Sequence, residues 1–300
     1  MGYFTHFHFF ESKTKYSFKM TKYIPGLFFF FFTLIFFSFS VNAQYYYKDI
    51  ISSIQLNKEF SILKNEQVKT IKLKSFEDND EPSEGFFCEK KINKDYSQSE
   101  MISKSYITGQ SLVVTDYNTE GLIVKSTNTT PTTTNTTQYE YDVNGRLTNI
   151  RTITSADNDS IEIIETHEYL YNEKGNPLKM SRKKNNLLVS TITFVSDEKG
   201  NIIEEAPTGI SRDKKYYYYY DDKSRLTDVV NFNELAKRLL PDYMFEYGEQ
   251  DEPIKMISID ESGRNYFIWR YGYTDKMLPE IQKCYSKEKR LLGTIEYGYQ

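Results

Sequence analysis

The segment Tyr139-Glu140-Tyr141-Asp142-Val143-Asn144-Gly145-Arg146-Leu147 decides the fold. Tyr-x-Tyr alternates with a period of two, which puts both rings on one face of a strand and the residue between them on the other. Asp142 then opens a tight turn, because its short side chain can accept hydrogen bonds from the backbone just ahead of it. Gly145 supplies the positive φ that such turns favour. Arg146 to Ile150 returns as the partner strand.

The frame recurs. Tyr169-Leu170-Tyr171-Asn172 leads to Gly175, Phe194-Val195-Ser196-Asp197 to Gly200, and Tyr218-Tyr219-Tyr220-Asp221 to Ser224. Phe245-Glu246-Tyr247-Gly248 and Trp269-Arg270-Tyr271-Gly272 read as looser copies with Gly in place of Asp. An early copy stands at Thr115-Asp116-Tyr117-Asn118 before Gly121, and the chain ends on half a unit, Ile295-Glu296-Tyr297-Gly298. Turn positions at 121, 145, 175, 200, 224, 251 and 275 are spaced 24 to 30 residues apart. A second set of turns lies between the units, at Thr130-Pro131, Asp157-Asn158-Asp159, Asn185-Asn186, Pro207-Thr208-Gly209, Ser262-Gly263 and Lys287-Glu288.

Each unit is therefore two strands with a turn at either end, and consecutive units form one antiparallel meander. The fold class is mainly β. Residues 112–300 supply roughly 14 strands, and an open sheet that wide normally curls, splits or closes. The expectation is a twisted, curved sheet, part-way to a barrel or spiral. The Thr/Asn tract from Thr127 to Thr137 keeps the register on both sides and reads as a polar hairpin. Asn233 to Leu240, stopped by Pro241, reads as one turn of helix replacing a hairpin tip.

Residues 44–111 lack the repeat and are expected to form a small α+β cap on the sheet. Asp49 to Leu63 places Ile50, Ile51, Ile54 and Phe60 at helical spacing. Lys69 to Phe76 and Phe86 to Ile92 read as strands.

Residues 1–43 read as an export signal. Met20 is a better start than Met1: Lys22 gives a positive n-region, Leu27 to Phe37 is apolar apart from Thr33, and Val41-Asn42-Ala43 offers a cleavage site before Gln44. The apolar run is shorter than the roughly 20 residues a bilayer span needs. Cleavage leaves a mature chain with no membrane span, sent to the periplasm, the cell surface or the medium. An uncleaved signal anchor is the alternative.

The chain carries 38 basic and 42 acidic side chains. The leader holds four Lys and one Glu, so the remainder keeps 34 basic and 41 acidic groups, a net of −7. That charge argues against nucleic-acid binding, whose affinity rests on phosphate neutralisation. His167 is the only histidine left, which makes a His-based triad improbable. Two cysteines, Cys88 and Cys284, are too few for a zinc cluster. They either form a disulfide, which export would permit, or stay as two buried thiols. The turn acids Asp142, Asp197-Glu198, Asp221-Asp222 and Asp251-Glu252 lack the dense spacing of a calcium loop and are explained by turn formation. No cofactor, metal or catalytic residue is expected.

At Tyr139 to Leu147 and Tyr218 to Leu226 the chain resembles the YD repeat of RHS-type bacterial surface proteins, a motif also found in teneurins. The resemblance implies a spiral β-shell architecture and, for the repeat, carbohydrate binding. The chain is too short for a closed toxin shell and carries no cargo domain. Its signal and short Tyr-rich meander also resemble small secreted proteins of Bacteroidetes.

Tyr216 to Tyr220 puts rings on both faces of one strand. Either both faces are covered, or some of Tyr216, Tyr218, Tyr219 and Tyr220 offer an apolar plate with a polar tip to a ligand. The functional expectation is a non-enzymatic exported protein whose sheet binds a carbohydrate or a cell-surface protein. The alternative is a structural spacer with no discrete ligand.

Overall fold

The computed structural model describes residues 44–300 apart from 157–161, 210–212, 235 and 261–262. Residues 1–43, read above as an export signal, and the turn at Asp157-Asn158-Asp159 lie outside the described residues. Eighteen antiparallel strands, β1 (Thr70–Glu77) to β18 (Leu291–Tyr299), follow one another in chain order.

The sheet closes. Strand β1 pairs with β18 over seven residues, from Ile71 opposite Tyr299 to Glu77 opposite Gly293. The expected open, curved sheet is thus corrected to a closed barrel. Closure satisfies the two rows of backbone groups that an open meander would leave bare. The clasp strand belongs to the segment without the repeat, so periodicity could not reveal it. Residues 44–111 accordingly do not sit as a cap. Strands β1, β2 (Phe87–Ile92) and β3 (Gln98–Ser105) are staves of the same barrel.

The tight turns behave as the sequence dictates. Asp142 N–H donates to Arg146 O and Gly145 N–H to Asp142 O, both at 2.9 Å. Asp142 Oδ1 accepts from the N–H groups of Asn144 and Arg146. The left-handed position falls at Gly121, Gly145, Gly175 and Gly200, and is filled by Ser224, Asp251 and Met277 elsewhere. Met277 corrects the seventh turn position from 275. A one-residue bulge recurs beside the second tyrosine of the unit, as between Glu140 and Tyr141 and between Tyr219 and Tyr220, which is how a type I turn with a left-handed residue joins two strands.

In six units the second tyrosine has a fixed partner. Its hydroxyl donates to the carbonyl of the residue that starts a strand one unit earlier: Tyr141 to Ile123, Tyr171 to Leu147, Tyr220 to Ile202, Tyr247 to Leu226, Tyr273 to Pro253 and Tyr299 to Pro279. These latches also reset the register of two copies. The units near the C-terminus are Tyr271-Gly272-Tyr273 and Tyr297-Gly298-Tyr299, so Gly272 and Gly298 occupy the middle position and do not replace Asp.

The Thr/Asn tract is a hairpin, β5 (Ile123–Thr129) to β6 (Thr133–Tyr141). Among the described residues of Asn233 to Leu240 no helical turn forms: β13 (Leu226–Asn233) and β14 (Arg238–Tyr247) run almost to the tip, and Pro241 sits at a bulge. Cys88 packs with Met101 and Val113, whereas Cys284 packs with Met256 and Trp269. Both are free and buried, so the disulfide does not form. Burial pushes both thiols up to about 12.

The expected helix exists, and it lies inside the barrel. Tyr46–Ile51 is π-wound and continues as α1 (Ser52–Asn65). Tyr45, Tyr46 and Ile50 pack on the inward side chains of β7 to β13, among them Tyr169, Phe194 and Tyr218. Phe60 and Leu63 pack on Ile71, Ile92, Tyr117 and Ile123, on the other side of the barrel. The Phe60 and Tyr117 rings stack 3.4 Å apart, and Asn57 Oδ1 accepts from Ile123 N–H at the tight-turn rim. A 20-residue helix is about 30 Å long and 10–12 Å across, while an 18-stranded barrel is too wide for its facing walls to meet. The helix is therefore a diagonal strut. Ile54, midway along it, is 57% exposed despite its place within the barrel.

Candidate functional site

A cluster of charged side chains inside the barrel surrounds the start of this strut. Glu205 on β11 (Ile202–Thr208) is fully buried. Its Oε1 accepts from Tyr45 N–H at 3.0 Å, and its Oε2 from Tyr46 N–H at 2.8 Å and from the Tyr218 hydroxyl at 2.7 Å. One carboxylate thereby caps the first two helical donors and suits the positive end of the helix dipole. Burial raises Glu205 to about 7 against the opposing effect of these hydrogen bonds.

Beside it runs a chain of ion pairs. His167 on β8 (Glu162–Tyr171) meets Asp49 of the strut through Nδ1 at 2.6 Å and Glu165 through Nε2 at 3.0 Å. The Tyr169 hydroxyl donates to the same Asp49 oxygen at 2.6 Å. Arg182 grips Glu165 with two nitrogens, at 2.9 and 3.2 Å, and reaches Asp213 at 3.5 Å. The Tyr45 hydroxyl returns to Asp213 at 3.3 Å. Burial alone would lower His167, but the two carboxylates outweigh it and hold the imidazole up to about 9. Burial would raise Glu165, but His167 and Arg182 hold it down to about 2.

This arrangement fastens the strut to the barrel wall. Both ring nitrogens of His167 are engaged by carboxylates, so neither is free to take a proton from a nucleophile. Among the described residues no group of three or more His, Cys, Asp or Glu could hold a metal ion. The turn acids Asp142, Asp197 and Asp221 are spent on their own backbones. Nothing in the sequence distinguished Glu205 from its neighbour Glu204, which points outward to Lys215 at 2.8 Å. Register alone separates them.

The five-tyrosine strand β12 (Tyr216–Tyr220) divides by face. Tyr216 and Tyr218 are buried inside, Tyr218 against Tyr46 and Glu205. Tyr220 is half-buried and latched to Ile202. Tyr219 stands outside, 49% exposed. Of the tyrosines proposed for ligand contact, it is the one on the outer surface.

That outer surface carries many charged side chains. Glu140 and Glu246 lie between inward tyrosines, and cross-strand pairs such as Lys255–Glu246 and Lys183–Glu168, both at 2.6 Å, lie on the staves. In a lipid-facing barrel each midplane Lys or Arg would cost about 2–4 kcal/mol, and the apolar band would lie outside. Here the apolar face is inside. No helix among the described residues is long and apolar enough to cross a membrane.

One arc of the exterior differs. Leu170, Leu178, Val195, Ile203 and Tyr219 each stand one residue in from the tight-turn end of five consecutive strands, β8 to β12, and are 39% to 60% exposed. They make an apolar rib on the outer face of one rim. Glu140 and Glu246 hold the equivalent places on β6 and β14.

No protein-family model matches the chain, and no curated protein matches it significantly. Among solved structures, the chain is similar to a TcdB2-TccC3 structure without its hypervariable C-terminal region, with 12% identity and a TM-score of 0.33, over 69% of this chain and 12% of that one. It is similar to a porin-like protein from Bacteroides uniformis, with 9% identity and a TM-score of 0.37, over 78% of this chain and 98% of that one. A porin-like protein from Bacteroides vulgatus gives 11% identity and a TM-score of 0.28 over the same shares. The chain thus spans a small part of the toxin's length. At these scores none of the three carries an argument about function.

Proposed function

We propose that the chain is an exported, water-soluble, non-enzymatic barrel that binds a protein at the cell envelope through the rib of Leu170, Leu178, Val195, Ile203 and Tyr219. The observation that carries the reading is the run of these exposed apolar side chains at the same rim position of five consecutive strands. Contiguous exposed apolar surface on a soluble protein marks an interaction site. Aliphatic side chains with a single aromatic suit a protein partner better than a sugar, which prefers aromatic plates. The inner tyrosines are occupied by latches and by the strut, which removes them from glycan binding.

The test is the distribution of the exported protein between envelope and soluble fractions. Replacing Leu170, Val195 and Tyr219 with Lys should leave the melting curve intact and release the protein from the envelope, while a glycan array stays blank for both forms. An unchanged distribution would refute the rib as the site and leave the structural spacer. A glycan signal lost on mutating Tyr219 alone would restore the sugar.

A further inference from the structure

We propose that cleavage between Ala43 and Gln44 is a folding step, because it frees an α-ammonium group that the barrel then buries among Glu205, Asp213 and Asp242. The inference rests on the export reading, since it needs a leader that is removed. Hydrolysis adds one water across the Ala43–Gln44 peptide bond, leaving a carboxylate on Ala43 and an amino group on Gln44, which takes up a proton. The signal peptidase of the exporting cell supplies the catalyst.

Gln44 is 3% exposed, inside the barrel. Its carbonyl accepts from Lys48 N–H at 2.8 Å, and its side-chain amide donates to Asp242. The next two backbone N–H groups, of Tyr45 and Tyr46, are taken by Glu205 at 3.0 and 2.8 Å. Backbone geometry puts the Gln44 nitrogen one residue, at most about 3.6 Å, further along.

The surroundings hold an excess of negative charge. The network around the helix start contains Asp49, Glu165, Glu205, Asp213 and Asp242, against His167 and Arg182, with Lys214 acting on Asp242. A buried polar atom there, Gln44 Oε1, has no hydrogen-bond partner. The Tyr216 hydroxyl interacts with both Gln44 and Asp242. An ammonium brings one positive charge and three N–H donors to this place. A peptide N–H brings one donor and no charge, and a chain extending beyond Gln44 must also find a way out past the wall.

The test keeps the full chain and moves the cleavage product. Four residues, Gln-Ser-Gly-Ser, are inserted after Ala43, so that export still cuts behind Ala43 but leaves an extension ahead of Gln44. Two readouts are taken on the exported proteins. The first is the melting midpoint, expected to fall by roughly 5 °C in the extended form. The second is acylation of the N-terminal amine by an amine-reactive ester, followed by mass spectrometry of the terminal peptide. The native amine should react at least about ten-fold more slowly than the extended one, because it is reached only through opening of the fold. Equal melting and equal labelling would overturn the inference. Recovery of the folded protein with Gln44 cyclised, seen as the loss of one ammonia, would also overturn it, since the lactam has no charge. A terminal peptide that begins anywhere other than Gln44 would instead overturn the export reading beneath it.

Discussion

Replacing His167 with Gln should destabilise the barrel strongly and remove the pH dependence that its imidazole contributes. His167 lies between Asp49 at 2.6 Å and Glu165 at 3.0 Å, with 14% of its side chain exposed. Its folded value of about 9 exceeds the ordinary 6.5. A group raised in this way contributes stability that is complete below pH 6.5 and lost as pH rises through 9. At 1.36 kcal/mol per unit the difference amounts to about 3 kcal/mol. Removing one partner of a buried ion pair costs about 3–5 kcal/mol by other routes, so the two figures agree in size. For a chain of this length each kcal/mol moves the melting midpoint by about 2–4 °C, and the variant should melt roughly 6–15 °C lower at pH 6.5. The assay is thermal melting monitored by near-UV circular dichroism from pH 6.5 to 9.5, wild type against variant. The gap between the curves should shrink steadily above pH 7 as the wild type loses its imidazolium. His167 is the only histidine beyond the leader, so no other imidazole can contribute. A pH-independent gap, or one under about 2 °C, would refute the charged latch.

Glu205 follows the same sign in a lower pH window. Its folded value of about 7 lies above the ordinary 4.5, so wild-type stability should decline as pH rises from 4.5 to 7, and Glu205→Gln should flatten that limb of the melting profile. Tyr171→Phe deletes the 2.6 Å bond to Leu147 O and should cost about 1 kcal/mol in a urea titration. Tyr247→Phe should cost about the same, and the two losses should add, because the latches share no partner. A reductant should leave the melting midpoint unchanged, and Cys88 and Cys284 should react with a thiol reagent only in denaturant; rapid labelling of the folded protein would show that their clusters are open.

The repeat was readable because each of its parts follows from local chemistry. Tyr-x-Tyr sets the strand, Asp or Asn accepts from the turn, and Gly takes the left-handed position. The same logic fails where the chemistry is not local. Tyr271-Gly272-Tyr273 and Trp269-Arg270-Tyr271-Gly272 are equally plausible as copies until the Tyr273 hydroxyl is seen on Pro253, twenty residues away in the chain. The helix from Asp49 was legible from its spacing, but its position was not, since an amphipathic face does not say which wall it meets. Closure depended on β1 meeting β18 across more than 200 residues of chain, and no pattern within either strand announces it. Glu205 and His167 looked like ordinary strand residues for the same reason, their partners lying about 160 and 118 residues away.

The clasp between β1 and β18 constrains how such a chain can change its size. Antiparallel closure requires an even number of staves, because with an odd number the first and last would run parallel at the seam. A duplication or loss of one whole unit, two strands with their tight turn, preserves that parity, whereas a single added strand breaks the ring. The repeat is thus the smallest change in circumference that the architecture tolerates. Each added unit would also widen the bore while the Tyr46–Asn65 strut kept its length, so circumference and strut would have to change together for both ends of the helix to keep their walls.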